Sequence, residues 1–249
     1  MLIENIKGNF AFVSGIGAFS AGAVARPGFE IVHAAVKPLV TLEQGYDLVA
    51  RHFGELRRPL NALCAMELRI PRALTPQEFD EFNHGYVEKL KSWDILLGAA
   101  NPVARTNVAL EVNAVAAPSL AGFFYTTPSD GGMRTFVLAG SAEMKGREGG
   151  HPEIVARGDT SVAGMRKKAE VILEAQGVRL DEMRVSWNDV SAVNLYTVHD
   201  IHPLLATTIL QALGEAGRYG VNWVYARPPV TGLDLEIDGH AVRREIVLH

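Results

Sequence analysis

The chain has 249 residues, 48% of them hydrophobic and 21% charged, with 24 Lys and Arg against 28 Asp and Glu, for a net charge of -4. This balance excludes a disordered chain and leaves no basic footprint for nucleic acid or an anionic membrane. Attraction for an anionic ligand therefore has to come from individual arginines.

The N-terminal MLIENIKGNF has no basic segment followed by a long apolar run, and no window reaches membrane-spanning length, so a cytoplasmic location is the expectation. SGIGAFSAG, after the apolar NFAFV, imitates a dinucleotide-binding glycine turn. That turn needs a helix directly after it, whereas Arg26-Pro27-Gly28 interrupts and a strand follows. FEIVHAAVKP reads as a strand ended by Pro38. Thr41 then caps a helix with apolar residues at Leu42, Tyr46, Val49 and Phe53. LCAMELRIP is a strand, and its lone Cys64 excludes an internal disulfide and marks a core position. Thr75-Pro76 opens a second helix, QEFDEFNHGYVEKLKSWDIL.

Next comes the strand begun by Arg105, which has no carboxylate within three residues on either side and precedes a largely apolar run. A guanidinium at the lip of such a strand offers a planar fork suited to a carboxylate; pairing with a structural acid is the plainer alternative. The run continues through Pro118 into SLAGFFYTT.

The turn formers PSDGG mark a boundary, dividing the chain into 1–127 and 128–249. The same element order then returns. TFVLAGSAEM is a strand, the polar loop KGREGGHPEIVARGD leads to the helix TSVAGMRKKAEVILEAQG ended by Gly177, and VSAVNLYTV is a strand. IHPLLATTILQALGEAG is a helix, and VNWVYARPPV and LDLEIDGHAV are closing strands. Two halves with one order point to a tandem duplication. In the long helix Val162, Met165, Ala169 and Ile172 form the apolar face, which places Arg166, Lys167 and Lys168 on a solvated side. Trp93, Trp187 and Trp223 read as core or interface residues. His199, Asp200 and His202 are clustered but lack a second ligand group, so Asp200 reads as a helix cap and no metal is expected.

The second half, through VLAGSAEM, ILEAQGVRLDEM, VSAVNLYTVHD and the tail YARPPVTGLDLEIDGHAVRR, resembles the Rid family of reactive-intermediate deaminases. IGAFSAGAV, FNHGY and VARTNVALEV carry the likeness in the first half. The resemblance implies an α+β fold of two fused Rid-like domains, each a mixed sheet with two helices on one face. An uncovered sheet face would call for a partner, and the family forms trimeric rings, so a homotrimer is expected.

Residue by residue, the resemblance places Arg105 on the carboxylate-binding arginine, Asn83 on the site asparagine and Phe19 on a position usually tyrosine. Gly140 falls beside the bound carboxylate and Glu236 on the water-orienting glutamate, while the first half has Ala35 and then Ala121 or Gly122 at the corresponding places. The second half has Gly220 near the arginine position. His33 aligns with a variable position at the pocket edge and is a candidate substrate contact, a packed histidine being the alternative. Complementary losses suggest one site built from Arg105 and Asn83 of one half with Gly140 and Glu236 of the other.

The implied activity is hydrolysis of an imine or enamine acid with release of ammonia, without metal or prosthetic group. An unsaturated amino diacid such as 2-aminomuconate or its chloro derivative would suit the specialised architecture. A second carboxylate would need a second cation, for which Arg69, Arg134 and Arg227 are candidates. The rival reading is a non-catalytic binder of small carboxylates. A ring-opening amidohydrolase of repeated units would need lysine-serine pairs not found in each half.

Overall fold

The computed structural model describes residues 1–146 and 152–249. Part of the polar loop after the boundary, 147–151, lies outside the described residues. The first half comprises β1 (Leu2–Asn5), β2 (Phe10–Val13), β3 (Gly22–Ala25), β4 (Phe29–Thr41), α1 (Leu42–Glu55), β5 (Leu63–Ile70), α2 (Pro76–Ser92), β6 (Ala104–Leu110) and β7 (Ser119–Pro128). The second comprises β8 (Phe136–Ala142), the ribbon β9 (Met144–Lys145) and β10 (Glu153–Ile154), α3 (Val162–Met183), β11 (Ala192–Tyr196), a broken helical stretch over 202–219, β12 (Asn222–Val224), β13 (Ala226–Arg227), β14 (Glu236–Ala241) and β15 (Glu245–Leu248).

Among the described residues these strands form two large mixed sheets, ordered β1-β2-β3-β8-β14-β11-β12 and β13-β6-β5-β7-β4-β15, beside the β9–β10 ribbon. Each large sheet draws on both sides of residue 128. β3 pairs with β8 to join the first three strands to the second-half sheet, while β13 pairs with β6 and β15 lies parallel to β4.

Helices cover the outer faces. Thr41 with Gln44 and Thr75 with Glu78 form capping boxes at α1 and α2, each hydroxyl cap contributing about 1 kcal/mol. The expected stripe of Leu42, Tyr46, Val49 and Phe53 packs with Tyr86 and Leu90 of α2 against Val32, Met66 and Phe123 of the six-stranded sheet. On the other sheet Met165, Ala169 and Ile172 of α3 meet Leu195 and Ile237. The inner faces meet each other: Phe10, Phe12 and Val137 share a core with Ile31, Cys64, Ala65 and Phe124. The order is therefore helices, sheet, sheet, helices, and the argument for a ring from an uncovered face loses its premise within one chain.

Three local expectations change. α3 runs through Gly177 to Met183 and ends at Arg184 in the left-handed region, φ 55°. Burial of Leu180 and Met183 against β2, β3 and β8 outweighs the roughly 1 kcal/mol cost of a helical glycine. The stretch 202–219 winds as short α, π and 3-10 turns, interrupted at Gly214 with φ 59°. β4 continues past Pro38 because its register with β7 shifts between Ala35 and Val40, the bulged setting in which a strand tolerates proline.

Candidate active site

Alternation along β6 separates two tasks. Thr106 donates its hydroxyl to Asp238 of β14 at 2.6 Å, and Val108 packs with Tyr196 and Ala226. Arg105 and Asn107 point the other way, towards α2 and a cavity. Arg105 is 3% exposed, and its Nη2 donates to Asn83 Oδ1 at 2.6 Å. Its guanidinium carbon lies 4.6 Å from the ring centre of Phe19, 5.6 Å from Phe79, 5.4 Å from Phe82 and 4.7 Å from Tyr86.

These rings hold the cation, at about 0.5–2 kcal/mol each, yet they offer no in-plane acceptor for its N–H groups. Arg105 Nη1 and both polar atoms of the Asn107 amide are buried without a hydrogen-bond partner among the described residues. Leaving such groups unpaired costs about 1–3 kcal/mol apiece. Burial draws Arg105 down to about 10, against the pull of Tyr86 and Glu236. It remains a cation at neutral pH, so its open donors favour an anionic oxygen ligand.

Facing them is Glu236, 4% exposed, on β14. Leu235 and Ile237 turn to the helical side, as alternation predicts. Glu236 pairs with Ala142 of β8, and a Cβ at Gly140 would collide with its carboxylate; glycine therefore vacates the space that the glutamate fills. Burial, then Asp238 and Glu143, push Glu236 up to about 8 against the pull of Arg105 and Arg69. At pH 7 the carboxyl is mainly protonated.

Phe19, Arg105, Asn107, Gly140 and Glu236 line one cavity of about 960 Å³. The start of α2, the β9–β10 ribbon and residues 229–233 complete its walls. The two arms expected from opposite halves are thus brought together, and Asn83 reaches the cavity through the Arg105 guanidinium. Asn107 escaped the sequence reading although it lies two residues from Arg105, where strand periodicity puts it on the same face.

His33 is a correction. β4 is separated from β6 by β5 and β7, and His33 faces the other sheet instead of the cavity. Its Nδ1 meets Glu245 Oε2 at 2.6 Å and its Nε2 meets Glu67 Oε2 at 3.3 Å, while the ring stacks on Phe124 at 4.5 Å. The three candidate second cations are also elsewhere. Arg69 donates to Leu68 O, Arg134 to the carbonyls of Met183 and Arg184, and Arg227 to Glu111 at 2.6 and 2.8 Å. The arginine that does line the cavity with Arg105 is Arg157, which follows no local pattern that the sequence could reveal.

Lys168 is a second correction, for it is 0% exposed beside Met165 and Ala169 instead of solvated. Its Nζ bonds Asp234 and approaches Glu143 Oε1 at 3.4 Å. Glu143 in turn accepts the backbone N–H of Asp234 at 2.6 Å and of Leu235 at 3.2 Å. This buried pair clamps the backbone directly before Glu236. His199 turns to Asp234 at 3.2 Å. Asp200 accepts the backbone N–H of His202 at 3.0 Å, but the short helix there has its N-cap at Ile201 with no side-chain cap bond, which corrects the expected capping role of Asp200.

A sequence model of the family described as 2-aminomuconate deaminase CnbZ matches residues 2–246. A 2-amino-5-chloromuconate deaminase from Comamonas testosteroni is 35% identical over 244 residues, covering 97% of this chain and 96% of that protein. A chorismatase crystal structure superposes with a TM-score of 0.52 at 14% identity, covering 89% of this chain and 77% of that chain. The latter likeness is one of fold.

Proposed function

Because the chain belongs to the 2-aminomuconate deaminase family, we propose that it hydrolyses the imine form of 2-aminomuconate or a chlorinated relative and releases ammonia. The observation that supports this most directly is a buried cation with an unpaired N–H, beside an unpaired amide, in a cavity that also holds a largely neutral carboxyl.

In this reading Arg105 Nη1 and the Asn107 amide bind the carboxylate next to the reacting carbon. Asn83 holds Nη2, and the rings of Phe19 and Tyr86 fix the guanidinium plane. Positioning of this kind supplies much of the rate. Protonated Glu236 donates to the enamine carbon chain, forming the iminium and leaving its own carboxylate. That carboxylate takes a proton from water as the oxygen attacks the C=N carbon. The regenerated carboxyl protonates nitrogen, the C–N bond breaks, and ammonia departs. Loss of the hydroxyl proton to Glu236 leaves the 2-oxo diacid and restores the starting carboxyl. Enamine and water thus become ketone and ammonia, and one carboxyl serves as acid and base in turn. The tracts 1–127 and 128–249 are read as diverged copies, each supplying one arm of the site.

The test is ammonia production from 2-aminomuconate by the intact protein and by Glu236→Gln. The variant is expected to lose about 10²–10⁴-fold in kcat while still binding the diacid. Since the cycle starts from the protonated carboxyl, wild-type kcat falls as pH rises through about 8. Diacid binding without ammonia from the wild type would leave a carboxylate-binding protein, and unimpaired turnover by Glu236→Gln would remove that residue from the chemistry.

A further inference from the structure

We propose that Arg157 is a second carboxylate anchor, which selects unsaturated acids carrying a carboxylate at each end over those carrying one. The inference rests on the deaminase reading and adds recognition of the substrate's far end.

Arg157 lies between β10 and α3 and lines the same cavity as Arg105; these two supply its basic side chains among the described residues. Three other cations of this half are engaged. Arg166 bonds the hydroxyls of Thr207 and Thr208, Lys168 bonds Asp234, and Arg227 is paired with Glu111. No hydrogen bond or ion pair joins Arg157 to another described residue. Its neighbour across the loop is Gly232, at φ 89°, where an added Cβ would lie 3.6 Å from both Nε and Nη2 of the guanidinium. Gly232 therefore presents bare backbone on the side facing the arginine.

The chemistry of a conjugated diacid demands such a group. Its planar carbon chain holds the two carboxylates apart, so when one is seated on Arg105 the other cannot fold back onto the same cation. The remaining acids on the cavity wall, Asp80 and Glu153, repel a second carboxylate. The apolar Phe79, Met144 and Ile154 suit the carbon chain between the ends but leave the far charge unanswered. A guanidinium meets that charge with two parallel N–H donors. Because Arg157 is exposed, its attraction is partly screened, and salt weakens it much more than it weakens the buried Arg105 contact.

The test uses two unreactive ligands of equal carbon count, muconate with two carboxylates and sorbate with one, titrated calorimetrically into wild type, Arg157→Gln and Arg157→Lys. Arg157→Gln is expected to weaken muconate about tenfold, to leave sorbate within twofold, and to remove most of the salt dependence of muconate binding; Arg157→Lys restores part of it. Equal losses for both ligands, or none for muconate, would overturn the assignment. Ammonia release by the wild type is measured separately. Its absence would end the deaminase reading while leaving the muconate and sorbate comparison to decide Arg157 by itself.

Discussion

Two clusters of buried polar groups lie close together in this molecule and differ in one respect. Around Asp238 the donors are spent: Thr106, Asn194 and Tyr196 reach its carboxylate at 2.6, 2.7 and 2.9 Å, and nearby Glu67 is held by His33. The adjoining void, lined by Glu67, Thr106, Asp238 and His240, is only about 10 Å³, scarcely room for one water. Around Arg105 and Asn107 donors are left over, and the space beside them is about 960 Å³. Buried charge with its valences filled is architecture; buried charge with open valences and room beside it is a site. Both clusters hold carboxyls raised by burial, Asp238 to about 6 and Glu236 to about 8, so titration alone does not tell them apart.

The strongest challenge to this distinction is Arg105→Lys, which keeps the charge and discards the fork. A loss of about 10³-fold in kcat/KM for ammonia release is expected, and near-normal turnover would strip the open-valence cluster of its role. Gly140→Ala comes next. Its methyl meets the flexible end of Glu236, so melting should change little while kcat drops about 100-fold from the displaced carboxyl. A matching loss of thermal stability would show instead that Gly140 serves packing.

His33→Gln should have the smallest effect on activity, within about threefold in kcat/KM, and should act on stability. Burial depresses His33, but Glu67 and Glu245 outweigh it and raise its pKa. Burial raises Glu67, but His33 outweighs it and draws the carboxylate to about 2. The histidine's contribution is complete below 6.5 and fades as pH rises through its raised value. The glutamate's is complete above 4.5 and fades as pH falls through about 2. Wild type should therefore exceed the variant most between pH 4.5 and 6.5, by on the order of 2 kcal/mol in urea unfolding. A large fall in kcat with unchanged unfolding would return His33 to the substrate.

What the sequence disclosed was local. Strand alternation placed Leu235 and Ile237 opposite Glu236, and the same rule extended by two residues would have added Asn107 to Arg105. Thr41 and Thr75 announced their helices through cap chemistry. Lys168 defied its neighbours because its partners, Glu143 and Asp234, are 25 and 66 residues away, beyond any helical period. His33 was misplaced because an aligned position carries no strand order. The passage of β1 to β3 into the second-half sheet was hidden for the same reason: hydrophobic pattern specifies a face, not the neighbour across a hydrogen-bond ladder.

That exchange of strands bears on how the molecule comes into being. The six-stranded sheet lacks both margins until residues 226–227 and 245–248 have been synthesised, although its interior strands emerge much earlier. The nascent first half must then wait with bare rims, exposed to mispairing with other chains. Assembly of the sheet that carries Arg105 is thereby tied to arrival of the strand that carries Glu236, so a truncated product would offer neither a finished scaffold nor a half-working catalyst.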